Sequence, residues 1–353
     1  MDTRTLPANP FTPTLGCQPN VFYGWDSVMA DAAQGLSAPA SDPNRCLLLT
    51  GARGSGKTVL LAQLAKAAQD GGWAVAEATC SDRLLGESYE QAAHAAGALG
   101  ASVVDLRVEG GSWRVRVQPV LEGLNASGSG LLLVVDGIYP NCAALAEVVD
   151  GVSHFLREGR AVALYAAGLP HHVDALLADP QMAFLEGARR LKLDRMDQAD
   201  IALCLKRTIQ NAGRSIGPNA LELAAQVCGG NAYMMQLVGY EMWRQHPEHS
   251  RISRDDAVAG INAAGTFMID TLFTPTLRAL SDKDKRFLKA MAQDEGPASM
   301  ADVANRLNVS TGYARMYKKR LMDHGLIFSP SRGYVDVVMP LLGAYLRSDD
   351  CPF

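Results

Sequence analysis

The sequence predicts an α/β chain with a carboxyl-terminal extension: a parallel sheet covered by helices on both faces, then a purely helical stretch, then three short helices closed by a hairpin. Three observations lead there. Between residues 45 and 166, short and almost unbroken apolar runs alternate with segments of helical period, the pattern of strands buried on both faces. After about Arg190 the strand signals stop and helical spacing takes over. Near the end, Leu326-Ile327-Phe328 and 334–338 flank the turn Ser329-Pro330-Ser331-Arg332-Gly333.

Each element has its own warrant. Residues 1–20, rich in Pro, Thr and Asn, lack an amphipathic period and read as an extended arm. A short helix over 21–36 is capped near Asp26 or Ser27. Residues 46–50 form an apolar strand, and 57–70 a helix through Leu60, Leu61, Leu64 and Ala68, stopped by Gly71-Gly72. Strands follow at 73–78, 130–135 and 161–166, and helices at 87–99 and 142–158. Helices at 198–212, 218–227 and 233–245 make a lid, after which 246–250 is a polar break. Ser253 is an N-cap before Arg254-Asp255-Asp256, and helices at 285–292, 300–307 and 310–324 precede the hairpin. Three helices and a hairpin make a winged helix, with the third helix as recognition element. The domains fall at 1–192, 193–250 and 251–353.

Composition narrows the function classes. A chain of 353 residues has room for two or three domains. The net charge of −4 provides no overall basic field, so any contact with nucleic acid must be local. No apolar run approaches the roughly 18 residues that span a bilayer, and the first eleven residues carry no apolar leader, so the expectation is a cytoplasmic protein with no membrane contact. Seven cysteines without a C-x-x-C read as buried thiols, and no metal-binding signature surrounds His171-His172.

Gly51-Ala52-Arg53-Gly54-Ser55-Gly56-Lys57-Thr58 fits G-x-x-x-x-G-K-[ST] between a predicted strand and a predicted helix. The glycines let the backbone curl around a phosphate chain, and the helix start, including Val59, points amides at the anion. Lys57 would bridge the β- and γ-phosphates and Thr58 would ligate Mg²⁺. Leu131-Leu132-Leu133-Val134-Val135-Asp136 is an apolar strand ending in a carboxylate, a Walker B pattern that places Asp136 beside the metal. Lys57 and Asp136 are the candidate catalytic residues, and the cofactors implied are ATP and Mg²⁺. Gly137, Ile138, Tyr139 and Pro140 offer no carboxylate to activate water, so turnover is expected to be slow.

With these motifs the chain resembles the AAA+ P-loop ATPases of the origin-recognition and initiator-like branch, with some likeness to the STAND signalling NTPases. The resemblance implies a P-loop NTPase sheet, a helical lid and a winged-helix domain. Asn9 to Pro13 and Phe22-Tyr23-Gly24-Trp25-Asp26 are similar to the family's amino-terminal box, so Tyr23 and Gly24 are expected near the adenine, with Trp25 where the family has Arg. Ala166-Ala167-Gly168 stands at sensor 1 without its polar residue. Gly230-Asn231-Ala232-Tyr233 opens the sensor-2 helix, placing Ala232 at the nucleotide and Tyr233 where the arginine would be. Arg189 and Arg190 stand where the family can place an arginine finger toward a neighbouring subunit.

The recognition helix carries Arg315, Lys318, Lys319 and Arg320, with Tyr313 and Tyr317 interleaved and Arg332 at the wing tip, a local basic patch suited to duplex DNA. The alternative reading of the same face is a protein-docking module. Two functions follow: an ATP-hydrolysing protein whose nucleotide state controls a DNA-binding winged helix, or a hydrolysis-poor switch that docks a protein partner through it. The partners implied are ATP or ADP, duplex DNA, a protein partner, and further copies of the chain.

Overall fold

The computed structural model describes residues 8–14, 25–101, 111–349 and 351, and divides into two compact units. One comprises 22–51 and 56–193, the other 1–21, 52–55 and 194–353.

The first unit runs α1 (Asp26–Ser37), β1 (Cys46–Gly51), α2 (Lys57–Asp70), β2 (Ala74–Thr79), α3 (Leu84–Ala98), α4 (Trp113–Ala126), β3 (Leu131–Ile138), α5 (Ala143–Arg157), β4 (Val162–Gly168), α6 (Pro170–Leu177) and β5 (Arg189–Leu193). The five strands form one parallel sheet in the order β2-β3-β4-β1-β5. Successive strand residues point to opposite faces. Leu48, Leu131, Leu133 and Leu164 pack with α3, α4 and α5 on one side, while Leu47, Leu49, Leu132 and Tyr165 pack with α1 and α2 on the other. Each leucine so buried contributes about 1.5–3 kcal/mol.

Three of these elements were not predicted: α4, α6 and β5. Helix α4 buries Trp113, Val117, Val120, Leu121 and Leu124 at helical spacing despite Pro119 inside it. Strand β5 holds Arg189 and Arg190 on the sheet edge. Arg189 donates to Asp31 Oδ2 at 2.7 Å and to Asn44 Oδ1 at 2.6 Å, pinning α1 and the turn before β1. Its fork is engaged within the unit, and Arg190 is exposed on the same strand.

The second unit runs α7 (Gln198–Asn211), β6 (Ser215–Ile216), α8 (Pro218–Cys228), α9 (Ala232–Gln245), β7 (Arg251–Ile252), α10 (Arg254–Met268), α11 (Thr274–Arg278), α12 (Asp282–Met291), β8 (Ala298–Ser299), α13 (Met300–Leu307), α14 (Thr311–Asp323), β9 (Ile327–Phe328), β10 (Tyr334–Val337) and α15 (Leu342–Arg347). The predicted Ser253 cap is present as a capping box with Asp256 at the start of α10. A π-turn at Ile269–Phe273 joins α10 to α11. Arg254–Arg278 is long and apolar enough, by length and composition, to cross a membrane; its Ala and Gly content hid it from a search for apolar runs. Its buried stripe packs on α9, where a side chain at Gly260 would meet the Met242 backbone. Helices α12, α13 and α14 with the sheet β8-β10-β9 make the winged helix. The arm also lies in this unit: Asn9 bonds the Tyr240 carbonyl at 3.0 Å and Phe11 is buried against Gly239.

Candidate functional site

The parallel sheet brings the carboxyl ends of β1 and β3 to one edge, the edge at which open α/β sheets bind ligands. From β1 the chain enters the glycine loop and then α2, whose N-cap is Gly56. Gly56 has φ +93° and nothing within 4 Å of where a Cβ would stand, leaving a cradle open above the helix start. Lys57 Nζ donates to the Gly51 carbonyl at 2.8 Å, and Val59 continues the helix. Thr58 Oγ1 donates to Asp136 Oδ2 at 2.6 Å, so the two predicted metal-binding oxygens meet. The second Asp136 oxygen accepts the Gly137 N–H at 2.8 Å.

Gly137 also shapes the end of β3. The pairing of β3 with β4 shifts between Asp136 and Ile138, and Gly137 adopts φ +73°, a left-handed conformation at a bulge. Beside it, β4 ends in Ala166, Ala167 and Gly168, with both alanine methyl groups buried.

The residues present fit a phosphate-bound nucleotide and a hard cation. Ser55 Oγ is buried without a hydrogen-bond partner among the described residues, an orphaned donor in a loop rich in amides. A hydroxyl beside a carboxylate is the oxygen donor set that suits Mg²⁺. Tyr23 and Gly24 lie outside the described residues. Trp25 immediately precedes α1 and packs against the α1/α2 side of the sheet. In the second unit Ala232 is the first residue of α9, and the half-buried Tyr233 has its phenol pKa pushed up by burial. The polar group there is one the sequence reading passed over: Asn231, whose Oδ1 caps α9 by accepting the Met234 N–H at 3.0 Å. An Asn before a helical run was the available signal.

The basic face of the winged helix divides. Arg315 and Lys319, four residues apart on α14, and Arg332 on the wing are exposed and in no ion pair among the described residues. Lys318 is half-buried, donates to Ser329 Oγ at 3.0 Å, and has its pKa lowered by burial and by Arg315. Arg320 donates through Nε to Asp284 Oδ1 at 2.9 Å, compensating a buried carboxylate in α12. Tyr317 is buried under Arg320 and belongs to the core, whereas Tyr313 remains exposed. Lys318, Arg320 and Tyr317 are thus engaged within the domain.

His246, His249 and Asp256 also come together. Asp256 is buried, accepts Ser253 N–H and Oγ–H on Oδ2, and takes His246 Nδ1 on Oδ1. Oδ2 thus closes the α10 cap, while Oδ1 holds His246, the C-cap residue of α9. The six described cysteines are buried free thiols, and burial pushes the Cys46 thiol up to about 12.

Comparison with known proteins agrees with this geometry. The family described as AAA ATPase domain matches residues 22–218, and one described as a domain of unknown function (DUF8462) matches 270–346. No curated protein matches the sequence. Among solved structures, the ORC2 protein of Aeropyrum pernix, in its ADPNP-ADP complexes, is similar at TM-score 0.62 and 15% identity, covering 95% of this chain and 94% of that one. The Walker-type ATPase PABY2304 of Pyrococcus abyssi gives 0.67 at 13% identity, over 93% and 96%. The Aeropyrum pernix ORC1 protein, solved in complex with DNA, gives 0.50 at 16% identity, over 92% of each. These likenesses show a shared fold reaching through the carboxyl-terminal domain. With the AAA ATPase domain matched over more than half of its length, and the glycine loop and strand-end carboxylate in their places, the chain belongs to the AAA ATPase domain family.

Proposed function

We infer that the chain binds ATP with Mg²⁺ at the 51–58 loop, hydrolyses it slowly, and uses its nucleotide state to control a winged helix that contacts duplex DNA. The observation that carries the nucleotide half is the Thr58–Asp136 contact at 2.6 Å beside the Lys57 loop. In this reading Lys57 meets the β- and γ-phosphates, and Thr58 and Asp136 hold the Mg²⁺ that neutralises charge on them. The loop residues Gly51, Ala52, Arg53, Gly54, Ser55 and Gly56, with the α2 start through Val59, supply amides. Slow turnover is expected because Gly137, at the bulge, and Ile138, Tyr139 and Pro140 after it bring no carboxylate to activate water.

The DNA half rests on Arg315, Lys319 and Arg332, supported by the DNA complex of the similarly folded ORC1 protein. A second reading, docking of a protein partner, draws on Met316, 64% exposed in the middle of the same helix face, where phosphate contacts gain nothing from a thioether.

Calorimetric titration of the full chain with MgATP tests the first half: wild type binds and Lys57→Ala loses binding, and equal affinity in the two refutes it. Turnover with and without duplex DNA, with DNA affinity at two salt concentrations, separates the readings of the second half. Salt-insensitive or absent DNA binding selects the docking module.

A further inference from the structure

We propose that Asn231 is a positioning residue of the phosphate loop, its carboxamide setting the direction in which the loop-tip amides point. The proposal rests on the nucleotide-binding reading and adds to it a residue from outside the glycine motif.

Asn231 is 5% exposed and follows two left-handed glycines, Gly229 and Gly230. Gly230 has to be glycine, because a Cβ would stand 2.6 Å from the Met196 carbonyl. The capping bond to Met234 uses only the Asn231 oxygen. Its nitrogen does something a cap does not require: Nδ2 donates to the Arg53 carbonyl at 3.2 Å and reaches Met339 Sδ at 3.6 Å. Two residues on, the Tyr233 N–H donates to the Gly54 carbonyl at 3.2 Å. Gly54 has φ +78°, and a Cβ there would lie 2.8 Å from both Nδ2 and Oδ1 of Asn231. Loop tip and carboxamide are fitted to one another.

Peptide planarity turns this grip into an aim. In a trans peptide the C=O and the following N–H point in opposite directions. Holding the Arg53 carbonyl against Asn231 therefore projects the Gly54 N–H from the other face of the loop. Holding the Gly54 carbonyl does the same for the Ser55 N–H, which here closes a turn onto the Ala52 carbonyl at 3.2 Å. Amides converging on a concave face form an anion site, and fixing them beforehand removes ordering cost from binding. Ser, Asp and Asn cap helices about equally well, so a cap alone does not call for the amide nitrogen.

The test uses the full chain, with MgADP and MgATP titrated calorimetrically and thermal unfolding followed in parallel. Asn231→Ser and Asn231→Asp keep a capping oxygen and lose the Nδ2 donor. Both are expected to melt close to wild type while nucleotide affinity falls roughly three- to tenfold, with Asp weaker because it sets a carboxylate against a carbonyl. Gly54→Ala, acting from the loop side, should lower affinity in the same direction. The proposal is overturned if the Asn231 variants bind as wild type does, whether or not their melting shifts, because a pure cap changes stability and leaves the affinity of the folded chain alone. Absence of nucleotide binding by wild type itself is a separate result: it removes the reading underneath, and this inference with it.

Discussion

Replacing Arg315 and Lys319 together by Ala should flatten the salt dependence of DNA binding. The two side chains lie four residues apart on α14, hence on one face, and with Arg332 they are the exposed cations of α14 and the wing outside any ion pair among the described residues. Each phosphate neutralised on duplex DNA contributes a slope of about −0.9 in log affinity against log salt, so three contacts give about −2.7. Between about 50 and 200 mM salt the wild-type affinity then falls about 40-fold, and that of the double variant, left with one contact, about 3- to 4-fold. Fluorescence anisotropy of a labelled duplex at the two concentrations reads the difference. Lys318→Ala is the control: its Ser329 bond and lowered pKa mark it as bracing, so the slope should hold while the domain loses stability. Equal slopes for wild type and the double variant refute the assignment of these phosphates, and a wild-type slope near zero hands the face to a protein partner.

Two further predictions concern other parts of the chain. Gly137→Glu places a β-carbon at φ +73°, where L-residues are strained by about 1–2 kcal/mol; nothing stands within 4 Å, so the cost is in the backbone alone. Chemical denaturation should show a loss of about that size, with turnover rising by less than the roughly 10²-fold a well-placed general base supplies, and a larger gain at unchanged stability would mean the bulge relaxes. The His246–Asp256 pair should make stability depend on pH from both sides. The Asp256 hydrogen bond raises the His246 pKa, with Glu248 adding to it and Arg214 opposing, so the pair's contribution is full below the usual histidine value and is lost as pH rises through the raised one. For Asp256, burial works upward, but hydrogen bonds from His246 and Ser253 outweigh it and hold the pKa below the usual value, so the contribution is also lost as pH falls through that lowered value. The difference in Tm between wild type and His246→Gln should therefore shrink from pH 6 to pH 8.5; a constant difference would show that the charge of His246 plays no part.

What could be read from the sequence was what local chemistry imposes. A phosphate loop needs fixed glycine spacing, so 51–58 was legible, and Val134-Val135-Asp136 announced a buried strand ending in a carboxylate. What escaped depends on partners distant in sequence. Arg-Arg-Leu-Lys-Leu in β5 alternates charge with apolar residues on a sheet edge and looks nothing like the core strands. The Arg320 charge is taken up by Asp284, 36 residues away, and Arg189 by Asp31, 158 residues away. The bulge at Gly137 belongs to the pairing of β3 with β4, which no single strand encodes. Asn231 carried a cap signal, but its bond to Arg53 spans 178 residues. Helix α4 was legible in principle from Val117, Val120, Leu121 and Leu124, and was obscured by Pro119 and Gly123.

The claim at the centre is that nucleotide state controls the winged helix. Its most direct test is the affinity of the full chain for one duplex, measured at fixed salt with saturating MgADP and again with a non-hydrolysable ATP analogue and Mg²⁺. Coupling between sites is typically about 1–3 kcal/mol, so the two affinities should differ about fivefold or more, and by reciprocity the duplex should shift the ratio of the two nucleotide affinities by the same factor. Identical DNA affinity in the two states, with both nucleotides bound, would contradict the account.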